Sequence, residues 1–189
     1  MLRRSCLLAA LLVFTGFGAG ACPDDGSNRQ LRLQKAPEFT RVTRWINSEP
    51  LSLAKLRGKV VVVHFWTNGC SNCINNYPHY RAWQERYAGK DVVIVGIHTP
   101  ETPDERVIAG IRRQAEKNGL KFPIAVDNDG ANWRAWKNEV WPTVYVVDQK
   151  GVVRYGWEGE LSFQGAKGEE TVRKVIDTLL AEGGGQESR

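Results

Sequence analysis

Residues 60 to 65 read VVVVHF, and no other stretch narrows the possible folds as much. Four consecutive valines followed by two rings do not alternate apolar with polar, as a strand with one wet face would. A strand of this kind is buried on both faces of a sheet, and helices on both sides supply that cover.

The rest of the chain supplies such cover. After Cys73, the residues Ile74, Tyr77, Tyr80, Trp83 and Tyr87 recur at spacings of three and four and predict a helix kinked at Pro78. Val92 to Ile97 predicts a second buried strand. Asp104 to Asn118, with Val107, Ile108, Ile111 and Ala115 on one face and Gly119 as a cap, predicts a helix. Phe122 to Val126 reads as a short strand and Gly130 to Asn138 as a short helix. Thr143 to Val147 and Val152 to Trp157 flank the turn DQKG as a hairpin. Glu169 to Glu182 closes the domain as an amphipathic helix. The order β-α-β-α-β-α-β-β-α defines an α/β sandwich, a mixed central sheet with helices on both faces. At 189 residues there is material for one such domain, and a net charge of +5 is too mild to indicate nucleic acid as a partner.

Residues 1–21, MLRRSCLLAALLVFTGFGAGA, combine a basic start, a short apolar run and a small-residue exit, and are expected to be an export signal. Two readings of Cys22 stay open: the residue after an ordinary secretory cut, or the lipid anchor of a bacterial lipoprotein, although Ala19 stands where lipoboxes usually carry Leu. Residues 22–36 are expected to be a tether, 37–182 the domain and 183–189 a frayed tail.

The pair in FWTNGCSNC, residues 65 to 73, admits three readings: metal site, staple or redox centre. Zinc needs about four ligands, and His64, His79 and His98 are scattered without ligand spacing, so no metal is expected. A ring closed over two intervening residues removes little unfolded-state entropy, so a staple is a poor use of the spacing. Redox chemistry remains, and no further cofactor is expected. Cys70 should arrive at a helix start, where unpaired N–H groups and the positive dipole end favour a thiolate, so it is the candidate nucleophile and Cys73 the resolving thiol.

WTNGCSNC with Pro78, GIHTPE, and FPIAVDNDGANWRAWKNEVWPTVYVVD together resemble the thioredoxin superfamily. They are similar to its extracytoplasmic TlpA/ResA-like thiol–disulfide oxidoreductases, and more so to the thioredoxin-like domain of DipZ-type and NHL-repeat proteins. The resemblance spans about residues 36 to 182. It implies a thioredoxin-like fold in which Cys70 attacks, Cys73 resolves and Pro142 is a cis-proline facing the disulfide. Trp141 would line a substrate groove, with Trp66 and Thr143 also assigned to substrate binding; Trp133 and Trp136 are assigned to the core. The implied partners are disulfide-containing exported proteins or apocytochromes and a membrane electron donor of the CcdA/DsbD kind, with a monomer working as reductase or isomerase.

Two positions depart from that pattern. His64 stands where thioredoxins carry a buried aspartate, either to shuttle the proton of Cys73 or as a hydrogen-bonded core residue. Asn76 replaces the glutamate that ResA-like proteins carry three residues after the second cysteine, so His98 and Glu101 are further candidates for proton handling. Two rival functions follow. A thiol peroxidase would use Thr67, three residues before Cys70, although Val63 stands where peroxiredoxins carry proline. A non-catalytic module would use only the groove at Trp141 and Pro142.

Overall fold

The computed structural model describes residues 34–184. The expected export signal, Cys22, most of the expected tether and the end of the tail lie outside the described residues. The elements are β1 (Gln34–Lys35), β2 (Arg44–Ile46), β3 (Val60–Trp66), α1 (Ser71–Arg86), β4 (Val92–His98), α2 (Ile108–Lys117), β5 (Ile124–Val126), α3 (Ala131–Ala135), β6 (Thr143–Val147), β7 (Val152–Glu158) and α4 (Gly168–Gly184).

The strands form one mixed sheet in the order β1-β7-β6-β3-β4-β5-β2. β3, β4 and β5 run parallel, and β6 lies antiparallel against the other side of β3. All of β3 is buried, as its unbroken apolar run requires. Successive side chains alternate between faces. Val60, Val62 and Trp66 join a cluster with Tyr77, Tyr80 and Trp83 of α1, Ile111 of α2 and Ile176 of α4. Val61, Val63 and Phe65 enter the opposite cluster with Leu53, Leu56, Val95 and Trp136. The crossovers β3-α1-β4 and β4-α2-β5 step in one direction across the sheet, and α1 and α2 pack into the same cluster on one face, as crossovers of one hand require.

The structure departs from the sequence reading at three places. The helix expected over Asp104 to Asn118 is broken: a single 3-10 turn, Pro103–Arg106, precedes α2, and Val107 between them has extended backbone and an exposed side chain. The carboxylate of Glu105 in that turn is drawn across to the loop before Cys70, as described below. Ile74, expected on the apolar face of α1, is exposed. The sheet begins inside the expected tether, because Gln34–Lys35 pairs with Val152 and Val153 at the edge of β7. Strands of two and three residues, such as β1 and β2, are too short to carry a readable period.

Candidate active site around the cysteine pair

β3 ends at Trp66, the chain turns through Thr67, Asn68 and Gly69, and Cys70 caps α1 with extended backbone (φ −81°, ψ 106°). Its Sγ accepts the Cys73 N–H at 3.1 Å. The two cysteines form a disulfide with Cα atoms 5.2 Å apart. Cys70 is half-buried and Cys73 fully buried, so an incoming sulfur reaches only the first. No acidic residue stands in the first turn of α1, so the helix's own side chains leave its positive end uncompensated.

The antiparallel register pairs Thr143 with Phe65, which brings the preceding Trp141–Pro142 peptide level with the end of β3. That peptide bond is cis. Trp141 is half-buried, packs against the same cluster as Cys70, and stacks on Trp133 with centroids 4.0 Å apart. Trp133, assigned above to the core, does pack on it, edge-on to Phe65 at 5.8 Å, and its half-buried ring also backs Trp141. Thr143 is buried and donates its hydroxyl to the Val140 carbonyl at 2.8 Å, holding the turn that carries Pro142.

Trp66 requires a correction. It is fully buried and packs edge-on against Tyr77 at 5.8 Å and His98 at 5.0 Å. Its place in β3 gives it the parity of Val60 and Val62, so it is a core residue and not part of a binding surface.

His64 shares that parity. It is fully buried, stacks on Tyr80 at 4.1 Å, meets Phe122 edge-on at 5.0 Å, and neither ring nitrogen has a hydrogen-bond partner among the described residues. Burial pushes its pKa down to about 3, so the ring is neutral at pH 7. It is a core histidine, but not the hydrogen-bonded one that was the alternative. Gly96, its register partner on β4, makes room for it: a Cβ there would lie 3.0 Å from both His64 Nε2 and Trp66 Nε1.

Asn76 joins the two sides of the site. Its Nδ2 donates to the Gly159 carbonyl and to Tyr80 Oη, each at 3.3 Å, and its Oδ1 accepts the Leu161 N–H at 2.8 Å. Gly159 N–H in turn donates to the Pro142 carbonyl at 2.7 Å. The residue standing in place of an acid therefore fastens α1 to the segment that holds the cis-proline.

The acid at this site is Glu105, which was not among the sequence candidates; Glu101 has an exposed side chain and contributes only its N–H. Glu105 Oε1 accepts the Gly69 N–H at 2.6 Å. Its Oε2 accepts the Thr67 hydroxyl at 2.7 Å, the Glu101 N–H at 2.6 Å and the Thr102 N–H at 3.1 Å. Burial raises its pKa, but the four hydrogen bonds outweigh that and hold the carboxyl below its usual range. His98 is fully buried, with Nε2 3.5 Å from the Thr67 hydroxyl oxygen. Burial lowers its pKa to about 4, and the charge of Glu105 opposes that shift. The sequence did hold a sign of Glu105: Thr102 to Glu105 reads TPDE, a capping-box pattern, but such a pattern speaks only of its own turn.

A disulfide closed at the first turn of a helix, level with a cis-proline on the next strand of a mixed sheet, defines a thioredoxin-like protein of thiol–disulfide oxidoreductase type. The chain belongs to the AhpC/TSA family, whose model matches residues 33–156. It is 36% identical over 139 residues to protein DipZ of Mycobacterium tuberculosis, a match covering 72% of this chain and 20% of DipZ, so the chain spans about one fifth of that relative's length. It is 29% identical over 150 residues to the thiol-disulfide oxidoreductase YkuV of Bacillus subtilis, covering 79% of this chain and 96% of YkuV. Among solved structures, a thiol-disulfide isomerase from Corynebacterium glutamicum matches with a TM-score of 0.66 at 27% identity, covering 77% and 97% of the two chains.

Proposed function

We propose that this chain is an extracytoplasmic thiol–disulfide oxidoreductase that reduces or isomerises disulfides of exported proteins or apocytochromes. The observation that carries the reading is the unequal burial of the two sulfurs at the start of α1. The Cys70 thiolate attacks one sulfur of a client disulfide, forming a mixed disulfide and releasing a client thiolate that takes up a proton. Cys73, once deprotonated, attacks Cys70 Sγ, closes the internal disulfide and releases the second client thiolate. Two electrons pass from the protein dithiol to the client. Burial leaves His64 too weak a base for the Cys73 proton, so its proposed role is packing against Tyr80 of α1, and the Cys73 proton passes to the client thiolate released in the first step.

The location rests on residues 1–21, with Cys22 as the proposed lipid anchor; no helix of the described residues is long and apolar enough to cross a membrane. Electrons would return through a membrane carrier of the CcdA/DsbD kind. The peroxidase rival needs the Thr67 hydroxyl at Cys70, and that hydroxyl is committed to Glu105.

Trapping tests the reading. Cys73→Ser should leave Cys70 joined to clients as mixed disulfides, identified by mass spectrometry, and an empty trap would refute protein disulfides as substrates. A reduction potential near about −270 mV, as in thioredoxin, supports a reductant; one near about −120 mV would overturn that direction.

A further inference from the structure

Glu105 does more than cap its own turn. That turn is four residues long, and the carboxylate reaches beyond it to two donors, Thr67 and Gly69, which lie 38 and 36 residues away in the chain. Gly69 is one peptide unit from Cys70, and a Cβ there would lie 2.6 Å from Glu105 Oε1, so the loop is shaped around the carboxylate. The backbone donors beside Cys70 are thus divided: the Cys73 N–H serves the sulfur, and the Gly69 N–H serves the acid. A carboxylate bound by four donors on a buried residue is held as a fixed charge.

We propose that Glu105 is a positioning residue for Cys70: it fixes the Thr67 to Gly69 turn and, as a buried negative charge beside the nucleophile, disfavours the Cys70 thiolate and biases the couple toward the reductant. The inference rests on the oxidoreductase reading above. In the balanced exchange, protein dithiol and glutathione disulfide give protein disulfide and two glutathione thiols, with two electrons passing to glutathione. A charge that destabilises the thiolate raises the free energy of the dithiol side alone above the Cys70 pKa, and so drives the exchange forward. The other titratable groups around the carboxylate do not cancel it. His98, from β4, is neutral at pH 7. Glu101, Asp104 and Arg106 have exposed side chains, as does Arg113 of α2, which borders Gly110 beside Asn68.

The test measures the pH midpoint of Cys70 alkylation by iodoacetamide in the reduced full chain, read on the Cys70 peptide by mass spectrometry. Glu105→Gln should lower the midpoint, raising the thiolate fraction at neutral pH roughly threefold to tenfold. It should also shift the glutathione equilibrium toward the protein dithiol by a similar factor above that midpoint. Glu105→Asp, which keeps the charge, should leave the thiolate fraction at neutral pH within about twofold of wild type. Unchanged midpoints in both variants, or equal falls in both, would overturn the proposal, since the effect would then not follow the charge. If Glu105→Gln does not fold, the wild-type protein decides. The 13C shift of the Glu105 carboxyl, followed by NMR in the reduced form, should inflect at the Cys70 midpoint and lose that inflection in Cys70→Ser, because coupling is reciprocal; its absence in the wild type overturns the proposal. Alkylation and the carboxyl titration need no exchange activity, so a wild-type protein that failed to react with glutathione would count against the oxidoreductase reading and not against Glu105.

Discussion

His64 and His98 lie on neighbouring strands, are both fully buried and both flank Trp66, yet they differ in company. His64 is held between Tyr80 and Phe122 with no polar partner among the described residues; His98 faces a hydroxyl tied to a carboxylate. Burial lowers both pKa values, to about 3 and about 4, and at His98 the Glu105 charge and a backbone hydrogen bond oppose the fall. The pair contrasts desolvation acting alone with desolvation opposed by polar neighbours.

Acid should expose the difference most strongly. Each imidazole binds its proton more weakly folded than unfolded, so below the ordinary histidine pKa of about 6.5 the unfolded chain holds more protons. Stability is therefore complete above that pH and falls as pH drops, by up to about 1.4 kcal/mol per unit for each ring. The loss from His98 ends near its folded value of about 4, and that from His64 continues to about 3. Urea unfolding should show that His64→Phe recovers roughly 3 kcal/mol of the wild-type loss between pH 6.5 and 4. An acid slope identical to wild type would mean that the ring is not buried neutral.

A rate tests the same burial. Because His64 is too weak a base to take the Cys73 proton, His64→Phe should leave resolution of a mixed disulfide within about threefold of wild type in stopped-flow single turnover. A fall of roughly a hundredfold would mean that the ring accepts that proton. At pH 7, His98→Phe should cost about 2 kcal/mol, because it crowds the core and removes the imidazole beside Thr67. Gly96→Ala should cost about 1 kcal/mol or somewhat more, since its methyl meets His64 and Trp66 at 3.0 Å. The smallest change, within about 1 kcal/mol at pH 7, is expected for the stability of His64→Phe, which gives up no hydrogen bond. A larger loss than in His98→Phe would invert the comparison.

The sequence carried most of the fold, because β3 and the helices that cover it obey simple periods, and because two cysteines at a strand-to-helix turn mark their own chemistry. Parity along VVVVHFW also held the correction for Trp66: the residue two after His64 and four after Val62 faces the same core. Glu105 was not legible as a site residue. TPDE describes a local cap, whereas the contact with Gly69 depends on how the end of β4 returns beside the end of β3, a matter of tertiary register. The broken helix at Val107 has the same origin: an apolar period continued through it, but the backbone yields where Glu105 is drawn toward the loop.

The link from Asn76 through Gly159 to Pro142 has a mechanical meaning. A client covalently held at Cys70 pulls on the N-cap of a helix, the end from which a helix peels most readily. Because Asn76 lies within two turns of that point and is bonded into the segment that closes on the cis-proline, the load is shared with β6 and β7. The grip on a moving client is then a property of the sheet and not of one helix end.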